Sequence, residues 1–184
     1  MNVSTSRFGN VEIEDDRVIT FPAGLLGFAD CRQFALIQPN PDGAFYWLQS
    51  VERPELAFVV TDPGLFVSNY EVPLRPEQMD AIELESIEDA QVLVIANRYG
   101  EFITGNLQGP LVVNVKSRLA QQLVLADQRW ATRHKLIATA GANRSGPVAA
   151  SAHDVDAPEG LGASPGAGDL EIGSAMLPRR AASA

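Results

Sequence analysis

Only one cysteine, Cys31, and two histidines occur among 184 residues, so neither an intramolecular disulfide nor a Cys/His zinc cluster is available. Long hydrophobic runs are missing as well. Runs such as Leu56 to Val60 and Val92 to Ala96 fall far short of the roughly 18 residues a membrane helix needs. Met1 to Gly9 carries one arginine and no apolar stretch, so neither a secretory signal nor an Arg-rich presequence is evident. Basic residues are scarce: 14 Lys and Arg face 23 Asp and Glu, a net charge of −9. That balance opposes nonspecific binding to phosphate backbones and favours basic partners. A soluble cytosolic protein is the expectation.

What is present divides near Thr139. Of residues 139–184, 28 of 46 are Ala, Gly, Pro or Ser, and only seven are Val, Leu, Ile or Met. Ordering them costs roughly 50 to 90 kcal/mol of backbone entropy, against at most about 20 returned by burying seven aliphatic side chains. This tail is expected to be disordered. Asp169 to Leu177, with Leu170, Ile172, Met176 and Leu177, is its one candidate for a docking segment.

Residues 1–138 hold every aromatic and read as a single all-β domain. Candidate strands are Phe8–Ile13, Val18–Phe21, Phe34–Gln38, Phe45–Gln49, Leu56–Thr61, Gln91–Asn97, Phe102–Leu107, Leu111–Val115 and Gln122–Leu125. Breakers such as Pro22-Ala23-Gly24, Pro39-Asn40-Pro41-Asp42-Gly43 and Asp62-Pro63-Gly64 separate them. The best helix is short, Pro76 to Leu84, with Met79, Ala81 and Ile82 on one face. Several strands are apolar on both faces: Phe45 and Trp47 point one way, Tyr46 and Leu48 the other. Such strands need cover on both sides, which predicts a compact, strongly curved, barrel-like sheet.

Catalytic signals are sparse, and no residue is assigned a catalytic, cofactor-binding or metal-ligating role. Cys31 with His134 is the only thiol–imidazole pair the domain offers; an inert thiol and a hydrogen-bonded structural histidine are favoured over a cysteine-dependent hydrolase. Phe21-Pro22-Ala23-Gly24-Leu25-Leu26-Gly27-Phe28 contains two glycines but no Lys-Ser/Thr, so it is no phosphate cradle. Leu25, Leu26 and Phe28 are expected to tuck against the sheet.

Charge carries more information. Residues 71–101 hold Glu71, Glu77, Asp80, Glu83, Glu85, Glu88, Asp89 and Glu101 against Arg75 and Arg98, without an EF-hand pattern. Residues 111–138 hold Lys116, Arg118, Arg129, Arg133 and Lys135 against Asp127. A solvated surface and an electrostatic docking surface explain the acidic block equally well. A rival use of the basic stretch is an OB-like single-stranded RNA site built on Trp130, Arg129 and Arg133.

Five strings, taken in order, resemble the FliW flagellar assembly factor family: Phe21-Pro22-x-Gly24-Leu25-Leu26-Gly27-Phe28; Phe45-x-x-Leu48-Gln49-Ser50-Val51 with Leu56 to Val60; Asn69-Tyr70-Glu71; Asn106-Leu107-x-x-Pro110 to Asn114; and Gln122 to Leu125 through Arg133-His134. The resemblance covers about residues 7–138. It implies a small cytoplasmic β-barrel-like protein without enzymatic activity, cofactor, membrane contact or direct nucleic-acid binding. Its implied clients are flagellin and the translational repressor CsrA, which it would hold off flagellin messenger RNA noncompetitively until free flagellin recaptures it. Asn69, Tyr70 and Glu71 are expected to lead the protein-binding surface, with Glu83, Glu85, Glu88 and Asp89 next.

Overall fold

The computed structural model describes residues 1–139. The composition-based expectation for the segment 139–184 therefore lies, past Thr139, outside the described residues. Eleven strands and one short helix are described: β1 (Asn2–Thr5), β2 (Gly9–Glu12), β3 (Val18–Thr20), β4 (Gln33–Ile37), β5 (Phe45–Ser50), β6 (Ala57–Thr61), α1 (Pro76–Asp80), β7 (Ala90–Tyr99), β8 (Phe102–Gly105), β9 (Leu111–Asn114), β10 (Ala120–Gln122) and β11 (His134–Ala138). All strand pairs are antiparallel.

β1 and β2 form a separate hairpin, and the other nine strands make one sheet in the order β10-β9-β7-β6-β5-β4-β3. The ten-residue β7 changes partner along its length: Ala90–Leu93 pairs with β9, and Ala96–Tyr99 pairs with β8, which carries β11 on its far side. The two ends of the sheet meet at a single parallel bridge, where the Thr20 N–H donates to the Arg118 carbonyl at 2.9 Å beside Leu119. The expected barrel-like sheet is thus nearly a cylinder, joined by one bridge rather than by a full ladder.

Both-face burial explains the curvature. Tyr46 and Leu48 of β5, with Phe58 and Val60 of β6, enter the interior alongside Phe21, Phe34, Leu93 and Leu111. Trp47 points outward, as its alternation requires, and the β1–β2 hairpin covers it with Val3, Val11 and Ile13. A third cluster fills the outer face of β7 and β9, where Val92, Val94 and Val112 meet Val72, Ile82, Leu84, Leu107 and Trp130. Burial of this kind returns about 1.5 to 3 kcal/mol per large aliphatic side chain, so each covering segment is held by several anchors.

Three expectations need correction. Leu26 does not tuck in; Leu25 is buried but Leu26 is 63% exposed, because Gly24 and Gly27 both take positive φ and turn the loop between them. A Cβ at Gly24 would lie 2.6 Å from the Phe28 carbonyl oxygen, so glycine is required there. Helix α1 stops at Asp80 instead of running to Leu84, since Glu83 adopts φ +53°; Ala81 is exposed while Ile82 and Leu84 are buried. Gln122–Leu125 is extended but leaves the ladder after Gln122: the N–H groups of Leu123 and Leu125 donate to the carbonyls of Pro110 and Gln108, each at 2.8 Å.

Candidate functional site

The candidate surface is built on residues 62–89, the connection from β6 to β7. Asp62 opens it by accepting a hydrogen bond from the Gly64 N–H at 2.7 Å, which sets a short 3₁₀ turn over Pro63–Leu65. Val72, Ile82 and Leu84 then bury their side chains against β7 and β9, which leaves the intervening carboxylates on the outside. The buried Asn114 side chain fixes the far end, donating to the carbonyls of Ile82 at 3.0 Å and Glu83 at 2.8 Å. Gln121 donates to the Gln78 carbonyl from β10. Side-chain hydrogen bonds from β9 and β10 thereby tie the irregular connection to the sheet.

The seven sequence-derived residues divide into two groups around this shared apolar cluster. Asn69 and Glu71 are exposed, whereas Tyr70 between them is half-buried. Its hydroxyl donates to the Leu107 carbonyl at 2.7 Å, and its ring meets Trp130 edge-on at 5.0 Å between centroids. Burial pushes the Tyr70 hydroxyl well above the usual tyrosine range. Tyr70 therefore anchors this group, while Asn69 and Glu71 present polar atoms to solvent. Arg129 stands close enough to feel the Glu71 charge, although its direct partner is Asp127 at 2.7 Å, whose hydrogen bonds hold the guanidinium up. Reciprocally, Arg129 holds the Asp127 carboxyl below its ordinary range.

In the second group Glu83, Glu85 and Glu88 are exposed and Asp89 is half-buried. Lys116 reaches Asp89 at 2.6 Å, and the hydrogen bond and charge of Asp89, with Glu85 adding to them, raise its ammonium pKa. Among the described residues Asp89 alone of these four carboxylates makes an ion pair. Exposed pairs of this kind contribute little stability, about 0 to 1 kcal/mol, and the rest of the block keeps its charge open to a partner.

The rival chemistries find little geometric support. Cys31 is 0% exposed within the interior cluster, out of reach of any substrate. Trp130 is 7% exposed and packs between Tyr70 and His134, so its face is not offered to a base. No group of three or more His, Cys, Asp or Glu side chains able to hold a metal ion occurs among the described residues. No described helix is long and apolar enough to cross a membrane.

One exposed feature escaped the sequence reading. Gln122 accepts a hydrogen bond from the Leu26 N–H at 2.9 Å through its side-chain oxygen, which brings exposed Leu26 beside the segment that carries Val124, 71% exposed. The available signal was the pair of flanking glycines around Leu25-Leu26, which allows one leucine to turn in and the next to turn out.

Comparison with known proteins agrees with this geometry. The FliW protein family model matches residues 2–136. The flagellar assembly factor FliW of Natranaerobius thermophilus is 35% identical over 151 residues, spanning 80% of this chain and all of that protein. Its counterpart in Bdellovibrio bacteriovorus is 42% identical over 138 residues, 74% of this chain and 79% of that one. A crystal structure of the flagellar assembly factor FliW superposes with a TM-score of 0.68 at 32% identity, covering 74% of this chain and 97% of that structure. A nearly closed antiparallel sheet carrying a pinned acidic connection thus defines a small β-domain of the flagellar assembly factor class. The chain belongs to the FliW family.

Proposed function

We propose that this flagellar assembly factor acts in the cytoplasm as a binding regulator that makes and breaks no bond, with residues 1–138 as its binding domain. It holds either flagellin or a CsrA-type translational repressor. Capture of the repressor relieves its hold on flagellin messenger RNA, and free flagellin displaces it. The observation that carries the reading is the acidic connection, where Glu71, Glu83, Glu85 and Glu88 stand exposed on a backbone pinned by Val72, Ile82, Leu84 and Asn114. An RNA-binding repressor presents basic surface, and preorganised carboxylates speed and orient its approach at low salt. Preorganisation also lowers the entropy lost on binding.

The test is titration calorimetry of the full chain against a purified CsrA-type repressor at low ionic strength. Glu71→Lys combined with Glu85→Lys, both at exposed positions, should weaken binding about tenfold or more while the thermal midpoint stays put. Unchanged affinity would remove this surface from the repressor interface. Binding of neither flagellin nor repressor at micromolar concentration would end the proposal as a whole.

A further inference from the structure

β7 carries opposite charge at its two ends. Its first residue, Ala90, follows the acidic group Glu83, Glu85, Glu88 and Asp89, of which Asp89 alone is in an ion pair among the described residues. Its last residue, Tyr99, opens a basic and aromatic face. Tyr99 pairs with Phe102 across β7 and β8, and Thr104 pairs with Lys135 across β8 and β11. Alternation along β8 puts Phe102 and Thr104, and with them Tyr99 and Lys135, on one face of the sheet. There the Lys135 ammonium lies 4.1 Å from the centre of the Phe102 ring, and the Arg133 guanidinium 4.9 Å from that of Tyr99. Such contacts hold a cation in place without neutralising it. Arg133 and Lys135 are exposed, as is Tyr99 at 60%, so apolar surface accompanies the charge. Neither cation is in an ion pair among the described residues, whereas Arg17, Arg53, Lys116 and Arg129 each meet a carboxylate. Glu101, in the β7–β8 turn, and Glu71, whose charge reaches Arg129, lie toward that side, and neither forms an ion pair.

The ten residues of β7 hold the two groups about 30 Å apart along the strand. Both are fixed: the acidic connection by Asn114 and Lys116, the cations by the rings beneath them. They cannot meet within one molecule, but two molecules can bring them together. A partner for the basic face must offer carboxylates beside apolar surface, and the connection ahead of β7 does so, with half-buried Ile87 between exposed Glu85 and Glu88. We propose that the sheet face formed by Tyr99, Phe102, Arg133 and Lys135 docks a second copy of this chain, head to tail, with that copy's Glu85 and Glu88 against Arg133 and Lys135. The net charge of −9 opposes the approach at long range. At about 0.15 M salt, however, the Debye length is about 8 Å, so distant repulsion is screened while contacting pairs persist. The contact is heterologous: every assembly keeps a free acidic connection at one end and a free basic face at the other unless its rotation closes a ring. A docked copy covers carboxylates proposed above for the repressor and so competes with it, whereas the contact itself depends on no client.

The test is sedimentation velocity of the full chain, with no client present, between about 10 µM and about 1 mM. At about 0.15 M salt the mean mass should rise above that of one chain at the upper concentrations, and at about 1 M salt it should fall back to one chain. Arg133→Gln/Lys135→Gln removes one half of the contact and Glu85→Gln/Glu88→Gln the other, so each variant alone should stay a single chain. Mixed in equal amounts, the two variants retain one intact pair of surfaces, and the mass should exceed one chain without passing two. Should the Arg133/Lys135 variant fail to fold, the Glu85/Glu88 variant still decides, because both of its positions are exposed. A wild-type mass of one chain throughout would overturn the proposal. So would association that survives either double variant alone, or a mixture that stays at one chain or grows beyond two. Association that strengthens at about 1 M salt would assign the self-contact to apolar surface such as Leu26 and Val124 and overturn it equally.

Discussion

The Asn114 carboxamide nitrogen donates to the Glu83 carbonyl at 2.8 Å, and through that bond a strand of the sheet fixes the one glutamate among the described residues whose backbone takes positive φ. The same nitrogen reaches the Ile82 carbonyl at 3.0 Å, while the side-chain oxygen accepts from the Lys116 N–H at 2.9 Å. Replacing Asn114 with Ala removes the donor to the Glu83 carbonyl and leaves the Ile82 carbonyl only the Ser117 hydroxyl at 3.3 Å, a cost of about 1 to 2 kcal/mol in denaturant unfolding. The same variant should expose Ile82–Glu85 to faster hydrogen exchange. Glu83→Gly, in contrast, removes the steric cost of the left-handed backbone and should match or exceed wild-type stability, by up to about 1 kcal/mol.

Neighbouring leucines should behave oppositely. Leu25 is buried in the interior and Leu26 is exposed, so Leu25→Ala should cost about 2 to 4 kcal/mol and Leu26→Ala less than about 0.5. Chemical denaturation of the two single variants checks this directly. Equal costs would show that Leu26 is covered in solution.

Glu52 supplies a pH-dependent contribution. Burial pushes its carboxyl pKa up, but the N–H groups of Gln33, Arg32 and Glu52 itself and the Ser50 hydroxyl outweigh that and hold it below the ordinary value. Gln33 and Arg32 donate to one carboxylate oxygen at 2.8 and 3.0 Å, and Ser50 to the other at 3.2 Å. A folded-state pKa below the unfolded one stabilises above the unfolded value of about 4.3 and is lost as pH falls through the folded value. Glu52→Gln should therefore lower the melting temperature at pH 7, and the gap from wild type should narrow as pH drops below about 4. A gap that is constant from pH 7 to pH 3 would contradict this.

Tyr70 separates anchoring from recognition. Because its hydroxyl points inward to Leu107, Tyr70→Phe should cost about 1 kcal/mol of stability and leave repressor affinity unchanged in calorimetry. A loss of affinity without a loss of stability would place that hydroxyl at the interface instead.

Sequence pattern located the strands whose two faces are both apolar. β5 and β6 could only be buried on both sides, and the β1–β2 hairpin and the interior supply that cover. β1 was not legible because Asn2–Thr5 offers Val3 as its one large apolar side chain. β11 was missed for a related reason: His134 and Lys135 begin it, and its residues are half-buried or exposed, so neither hydrophobicity nor alternation marks an edge strand. The acidic residues of the candidate site were visible as charge density. Their support was not, since it depends on Asn114 hydrogen bonds across 31 and 32 positions of chain. Likewise, Tyr70 reads as a surface residue in its string until the bond to Leu107, 37 positions away, turns it inward.

The position of Cys31 makes the molecule its own unfolding reporter. The single thiol of the sequence sits in the sheet's interior with no solvent exposure, so a thiol reagent can mark the chain only when that interior opens. The pace of labelling under native conditions then reports openings of the central core, with no engineered cysteine and no competing thiol to subtract.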